Sequence, residues 1–221
     1  MLRQSITAQE GAALSVDPAK VKILAAAEAL FARESIDSVS LREIALKAGH
    51  RNVAAVQYHF GDRQGLLQAI FAWRVNLMEE PRRRLLAELD AKGTPDDLAG
   101  LIRALCEPIL DLVDDEGVHT YASFMCQYLM RLRPTGVQHA SDLLPRMAVS
   151  LNEIQNRLFR LIVGGDIMEG DQRIGLAYLI VMNAIVFADT EKLPVKDPAK
   201  FRARFDEAVR MAAAALAASM D

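Results

Sequence analysis

The stretch Ser40–Leu67, "SLREIALKAGHRNVAAVQYHFGDRQGLL", decides how this chain is read. Ser40 with Glu43 three residues on makes a capping box: serine oxygen and glutamate carboxylate take up backbone N–H groups left free at a helix start. Leu41, Ile44, Ala45 and Ala48 then share one helical face, and Gly49 ends the run because glycine accepts positive φ. The resulting helix is only about two turns long. Asn52 is placed to cap the next helix, with Val53, Val56 and Phe60 on its inner side and Ala54, Ala55, Gln57 and Tyr58 opposite. Gly61 closes it. Asp62 caps a further helix with apolar positions at Leu66, Leu67, Ile70, Trp73 and Leu77, which Pro81 is expected to break or kink.

Outward from this stretch the pattern stays helical. Asp17-Pro18 is a cap followed by proline in the first turn, leading into Val21, Leu24, Ala27 and Phe31 at helical spacing. Thr94-Pro95-Asp96-Asp97 predicts another start, with Thr94 as cap, and Pro108 is expected to kink the helix that follows. Further helices are predicted near 118–132, 143–163, 171–189 and 198–219, separated by "RPTG", "GGD" and "KLPVKDP". Alternating β-branched runs are few, so the fold class is all-α.

Of the 221 residues 52% are hydrophobic and 25% charged, the balance of a folded globular chain. The net charge of −3 hides an asymmetry. Residues 1–75 carry nine Lys/Arg against seven Asp/Glu (+2), and residues 76–221 carry seventeen against twenty-two (−5). Cys106 and Cys126 form no CxxC and no disulfide framework, which fits a reducing, cytoplasmic setting. Residues 1–16 lack the apolar core of a secretory signal and read as a flexible arm. The longest uncharged apolar run, Ile174 to Ala188, has 15 residues including Asn183, so a buried helix is expected rather than a membrane span.

Two short helices joined by a glycine turn bury too little to stand alone and need a third as platform. That is a helix-turn-helix, whose second helix keeps one face free for the DNA major groove. Ala45 suits the crossing, since a larger side chain would push the pair apart. "SLREIALKAG", the "YHF" end of the next helix and "GDRQGLL" together resemble the DNA-binding domain of the tetracycline-repressor (TetR) family of bacterial regulators, over roughly residues 20–70. Two departures stand out. One extra residue lies between Gly49 and Phe60, and Gln57 occupies the position where many members carry tyrosine, with Tyr58 next to it.

The resemblance implies a helix-turn-helix DNA-binding domain at 17–65 and a helical ligand-binding and dimerisation domain at 66–221. It implies a regulator, in most such cases a repressor, released from a palindromic operator by a small molecule and needing no cofactor. The DNA-contact residues it suggests are Arg42, Lys47, Arg51, Asn52, Ala54, Ala55, Gln57, Tyr58, His59 and Arg63. Of these Ala54 or Ala55 can pack on a thymine methyl, and Arg63, on the first turn of its helix, matches the family's phosphate-contacting position. Phe124, Met125, Tyr128, Leu129 and Arg131 are candidate ligand contacts; Arg131 or Arg133 would meet a ligand carboxylate or sit at the surface. Leu176, Leu179, Ile180, Ile185 and Phe187 are candidate contacts in a homodimer.

Plainer readings compete. Arg42 and Lys47 suit a solvated helix face, His59 a partly buried one, and the run Arg82-Arg83-Arg84 a solvated or interdomain face. His119, Cys106 and Cys126 lack metal-ligand spacing, and Asp114-Asp115-Glu116 reads as a loop. "VGGD" at 163–166 reads as a turn. A helical enzyme would need a cluster of ionisable groups that the sequence does not display. A protein-interaction module using the helix-turn-helix without DNA, and a regulator activated by its ligand, remain as alternatives.

Overall fold

A computed structural model describes residues 17–143, 145–162 and 167–218. The arm expected at 1–16 and the "VGGD" turn lie outside the described residues.

Local chemistry starts the first four helices where expected. Helix α1 (Pro18–Arg33) begins after Asp17, whose carboxylate accepts the Ala19 N–H. Helix α2 (Leu41–Lys47) carries the full capping box: Ser40 Oγ accepts the Glu43 N–H at 3.2 Å, and Glu43 accepts the Ser40 N–H at 2.7 Å. That backbone N–H holds the Glu43 carboxyl below its ordinary pKa. In helix α3 (Ala54–Phe60) the first N–H is taken by Asn52 Oδ1 at 2.9 Å, and Gly61 ends the helix at φ 72°. Helix α4 (Arg63–Ala91) starts at Asp62, which accepts the Gly65 N–H. A side chain at position 65 would put its Cβ 2.1 Å from the Phe60 carbonyl oxygen, so only glycine allows α4 to start hard against the end of α3.

Three expectations change downstream. Helix α4 runs through Pro81 without breaking, its far half buried on Met78, Arg82, Leu86 and Leu89. Helix α5 (Leu98–Cys106) is capped by Asp97, not Thr94. Thr94 lies in the turn before α5, its N–H donating to Leu89 O at the end of α4 and its carbonyl accepting the Asp97 N–H. At Pro108 the chain leaves the α-helix altogether for a 3₁₀ segment, Glu107–Asp111.

Asp114 then closes a turn, accepting the Glu116 and Val118 N–H groups, and helix α6 (Thr120–Gln127) passes into a π-helical turn, Tyr128–Leu132. Short α7 (Ala140–Leu143) leads to α8 (Val149–Ile162), α9 (Ile167–Thr190), α10 (Leu193–Lys196) and α11 (Pro198–Ala217). Helices α9 and α11 pack along each other, and Arg173 of α9 donates to the Leu216 and Ala218 carbonyls at the end of α11.

Segment Gly170–Thr190 is long and apolar enough to span a bilayer, more than the 15-residue run suggested. In this fold Ile174, Ala177, Tyr178, Val181, Met182, Ile185 and Ala188 form its buried side, packed against α6, α8 and α11. The N-terminal helices join the rest through a buried ion pair. Arg74 of α4 meets Glu28 of α1 in a two-point bond (2.6 and 2.7 Å), and Thr120 of α6 donates to the same carboxylate at 2.6 Å. The Arg74 guanidinium also stacks 3.9 Å over Trp73.

Candidate nucleic-acid interface and ligand cavity

Helices α1, α2 and α4 form the platform on which α3 sits. Its only fully buried residue is Val56, while Ala45 of α2 is buried beneath it, so the two short helices approach closely. The outer face of α3 presents Ala54, Gln57 and Tyr58, with Ala55 and His59 half-buried. Tyr58 is 85% exposed, its ring edge-on to His59 at 5.1 Å between centroids. Arg42 and Lys47 on α2 and Arg51 and Asn52 in the turn are exposed as well. These groups offer hydrogen-bond donors, positive charge and an aromatic face to a polyanion.

Arg63 is engaged within the chain. Its Nη1 and Nη2 donate to the Asp37 and Val39 carbonyls, each at 2.7 Å, with the Asp37 carboxylate nearby. The guanidinium pins the turn before α2 to the start of α4. It orients the pair.

Beyond α4 lies a cavity of about 690 Å³. Val75, Met78 and Arg82 of α4 form one wall, Tyr121 and Met125 of α6 with Tyr128 and Leu129 of the π-turn another, and Ile174, Tyr178 and Leu179 of α9 a third. Apolar walls with a few polar groups are what a small-molecule site needs. The π-turn at its edge is a device common near functional sites.

Met125, Tyr128 and Leu129 are thus brought together as expected, and two other candidates are not. Phe124 is turned into the core between Phe31 and Phe71, and Arg131 lies outside, its Nη1 3.4 Å from Ser35 Oγ. Arg133 lines the cavity instead, in ion pairs with Asp142 and, at 3.2 Å, with Asp171.

Residues unforeseen in the sequence complete the wall. Arg82 is buried, against the expectation of a solvated run, while Arg83 pairs with Glu80 at the surface. His139 is buried against Phe71 and Tyr128. Its Nδ1 accepts the Ser141 N–H at 3.2 Å and sits 2.8 Å from Ser141 Oγ, which assigns the ring proton to Nε2. Burial pushes its pKa down to about 4, with Arg82 and Arg133 acting in the same direction and Asp142 against them. The helical spacing Val75, Met78, Arg82, Leu86, Leu89 could have placed Arg82 inward. Nothing in the sequence marks His139.

On α9 the side away from the core carries Leu176 and Phe187, 64% and 63% exposed, with Leu179, Ile180 and Asn183 half-buried between them. Ile185 is a further correction. It is 0% exposed inside the chain's own core and reaches no partner from there. His119 is held by Asp189 (2.8 Å) and the Leu110 carbonyl (3.3 Å), tying α6 to α9.

Residues 23–70 match the model of the bacterial regulatory proteins, tetR family. A curated relative, the HTH-type transcriptional dual regulator CecR of Shigella flexneri, is 30% identical over 128 residues. The match covers 56% of this chain and 56% of that relative, so the chain spans little more than half its length. A solved structure from Mesorhizobium loti MAFF303099, named as a tetR-family transcriptional regulator, aligns over 89% of this chain and 95% of its own at 22% identity, with a TM-score of 0.45.

Proposed function

We propose, from the match of residues 23–70 to the tetR family of bacterial regulatory proteins, that the chain is a cytoplasmic homodimeric transcriptional regulator of that family, which a small molecule releases from DNA. The observation that carries this reading is α3. A short helix that buries Val56 alone and leaves Gln57 and an 85% exposed Tyr58 outward is built to be covered by something else. Gln57 can pair with an adenine edge, Ala54 can pack on a thymine methyl, and Arg51, Lys47 and Arg42 suit backbone phosphates.

Dimerisation supplies the second half. Leu176, Ile180, Asn183 and Phe187 recur along the outer side of α9, and Met211 of α11 is exposed beside it in the same helix pair. Two copies joined there by a two-fold axis would carry two α3 helices toward successive major grooves, about 34–36 Å apart.

Release follows from α4. One helix carries Arg63, which pins the turn before α2, and Val75, Met78 and Arg82, which line the cavity. Arg63 and Arg82 lie about 28 Å apart along its axis, at 1.5 Å per residue. A ligand that prefers one placement of α4 shifts the separation of the two α3 helices, typically by about 1–3 kcal/mol of coupling. No catalytic step belongs to this reading.

The test is selection of duplexes from a random library by the purified protein, followed by salt titration of the enriched sequence against a scrambled control. An inverted repeat bound with steep salt dependence is expected, and Gln57→Ala with Tyr58→Ala should lower that affinity at least about tenfold while light scattering still finds a dimer. Enrichment of no sequence would leave the helix-turn-helix as a protein-interaction module.

A further inference from the structure

The cavity holds a charge that pairs with no carboxylate among the described residues. Arg82 lines it at 2% exposure. Its Nη2 donates to the Leu105 carbonyl at 3.1 Å, and Nε and Nη1 are buried without an acceptor among the described residues. A guanidinium does not deprotonate in proteins, so the charge stays. Burying it unpaired is strongly unfavourable.

Among the described residues, the ionisable groups that line the cavity beside Arg82 are committed or neutral. Asp142 and Asp171, the exposed carboxylates of the cavity lining, belong to Arg133. Glu28 belongs to Arg74 and Thr120. Burial raises the Tyr121 and Tyr178 hydroxyls well above their ordinary values and pushes the Cys106 thiol up to about 12, so none of them supplies a negative charge. Met78, Met125, Leu151 and Ile174 are apolar, and Ser141, Gln155 and Gln172 are polar but uncharged.

We propose that the cavity takes an organic acid, an apolar aliphatic or aromatic body bearing one carboxylate, and that Arg82 binds that carboxylate. The role of this acid as an effector rests on the regulator reading above; its binding does not. A neutral analogue of the same shape would fill the apolar walls and leave Arg82 unpaired, which is the kind of difference that separates ligands sharply.

The experiment uses the full chain and two matched pairs of probes: decanoate against 1-decanol, and 2-naphthoate against 2-naphthalenemethanol. Binding is read by calorimetry and by the shift in Tm. At least one acid is expected to bind, and to bind roughly tenfold to a hundredfold more tightly than its alcohol. Arg82→Met should erase that preference, Arg82→Lys should keep part of it, and the unliganded Arg82→Met protein should melt no lower than the parent. Equal binding of acid and alcohol, a preference that survives Arg82→Met, or no binding by any of the four overturns the proposal. Should Arg82→Met fail to fold, Arg82→Gln takes its place, and the acid-against-alcohol comparison on the parent protein needs no variant. Selection of an inverted repeat by the unliganded protein is scored separately. Its absence would sink the regulator reading while leaving acid binding at Arg82 standing.

Discussion

His139 stands with its ring in the cavity wall, neutral because burial holds its pKa near 4 while the same side chain in an unfolded chain titrates near 6.5. Between those values the unfolded state binds more protons. The contribution of His139 is therefore fully present above about pH 6.5 and is lost as pH falls toward 4, roughly 3 kcal/mol in all. Urea unfolding across pH 4–7 should show this slope, and His139→Asn should flatten it; an unchanged slope would mean that other groups set the acid limit. Arg63 and Arg82 teach a related lesson. Both are arginines in a helix whose spacing is plain from sequence, yet one guanidinium reaches back to two carbonyls of a distant turn and the other is sealed into a wall. A long side chain's destination depends on what folds up beside it.

Among the helices, the junction of α1, α4 and α6 is made by Glu28, Arg74 and Thr120. Glu28→Gln would leave Arg74 buried without its counter-ion and should lower stability by about 3–5 kcal/mol, measured as the urea midpoint at constant slope. A loss below about 1 kcal/mol would show that water reaches the site and that the three helices are joined by apolar packing alone. The helix starts at Asp17, Ser40 and Asp62 were legible because each depends on a side chain bonding to a backbone N–H within three residues. The start at Asp97 was not. Thr94 has the chemistry of a cap, but the turn that closes α4 spends three more residues, so that Asp97 stands at the start of α5 and accepts the Ala99 N–H. Pro81 likewise removes one hydrogen bond, and the packing of Met78, Arg82, Leu86 and Leu89 carries α4 past it.

For the molecule as a unit, the open question of assembly is carried by α9. Leu176→Glu with Phe187→Glu places charges at two exposed positions of α9, of which Leu176 also meets the cavity. The pair of changes should convert a dimer to a monomer in sedimentation or light scattering, keep the helical circular dichroism, and weaken binding to an inverted-repeat duplex at least about tenfold, because two half-sites would no longer be held together. A dimer that survives both substitutions would move the interface elsewhere on the chain.

The amino-acid order alone determined the helical class, the capped short helices and the face of α3 turned outward, since caps, glycine turns and the 3.6-residue period act over a few residues. The cavity depends on contacts between residues tens of positions apart. Only once α4, α6, α8 and α9 are packed does it emerge that Arg82 is buried without a counter-ion among the described residues, that Arg133 lines the cavity where Arg131 does not, and that Ile185 belongs to the core. Burial is a property of the assembled helices, and it is burial that turns an ordinary arginine in a charged run into a site.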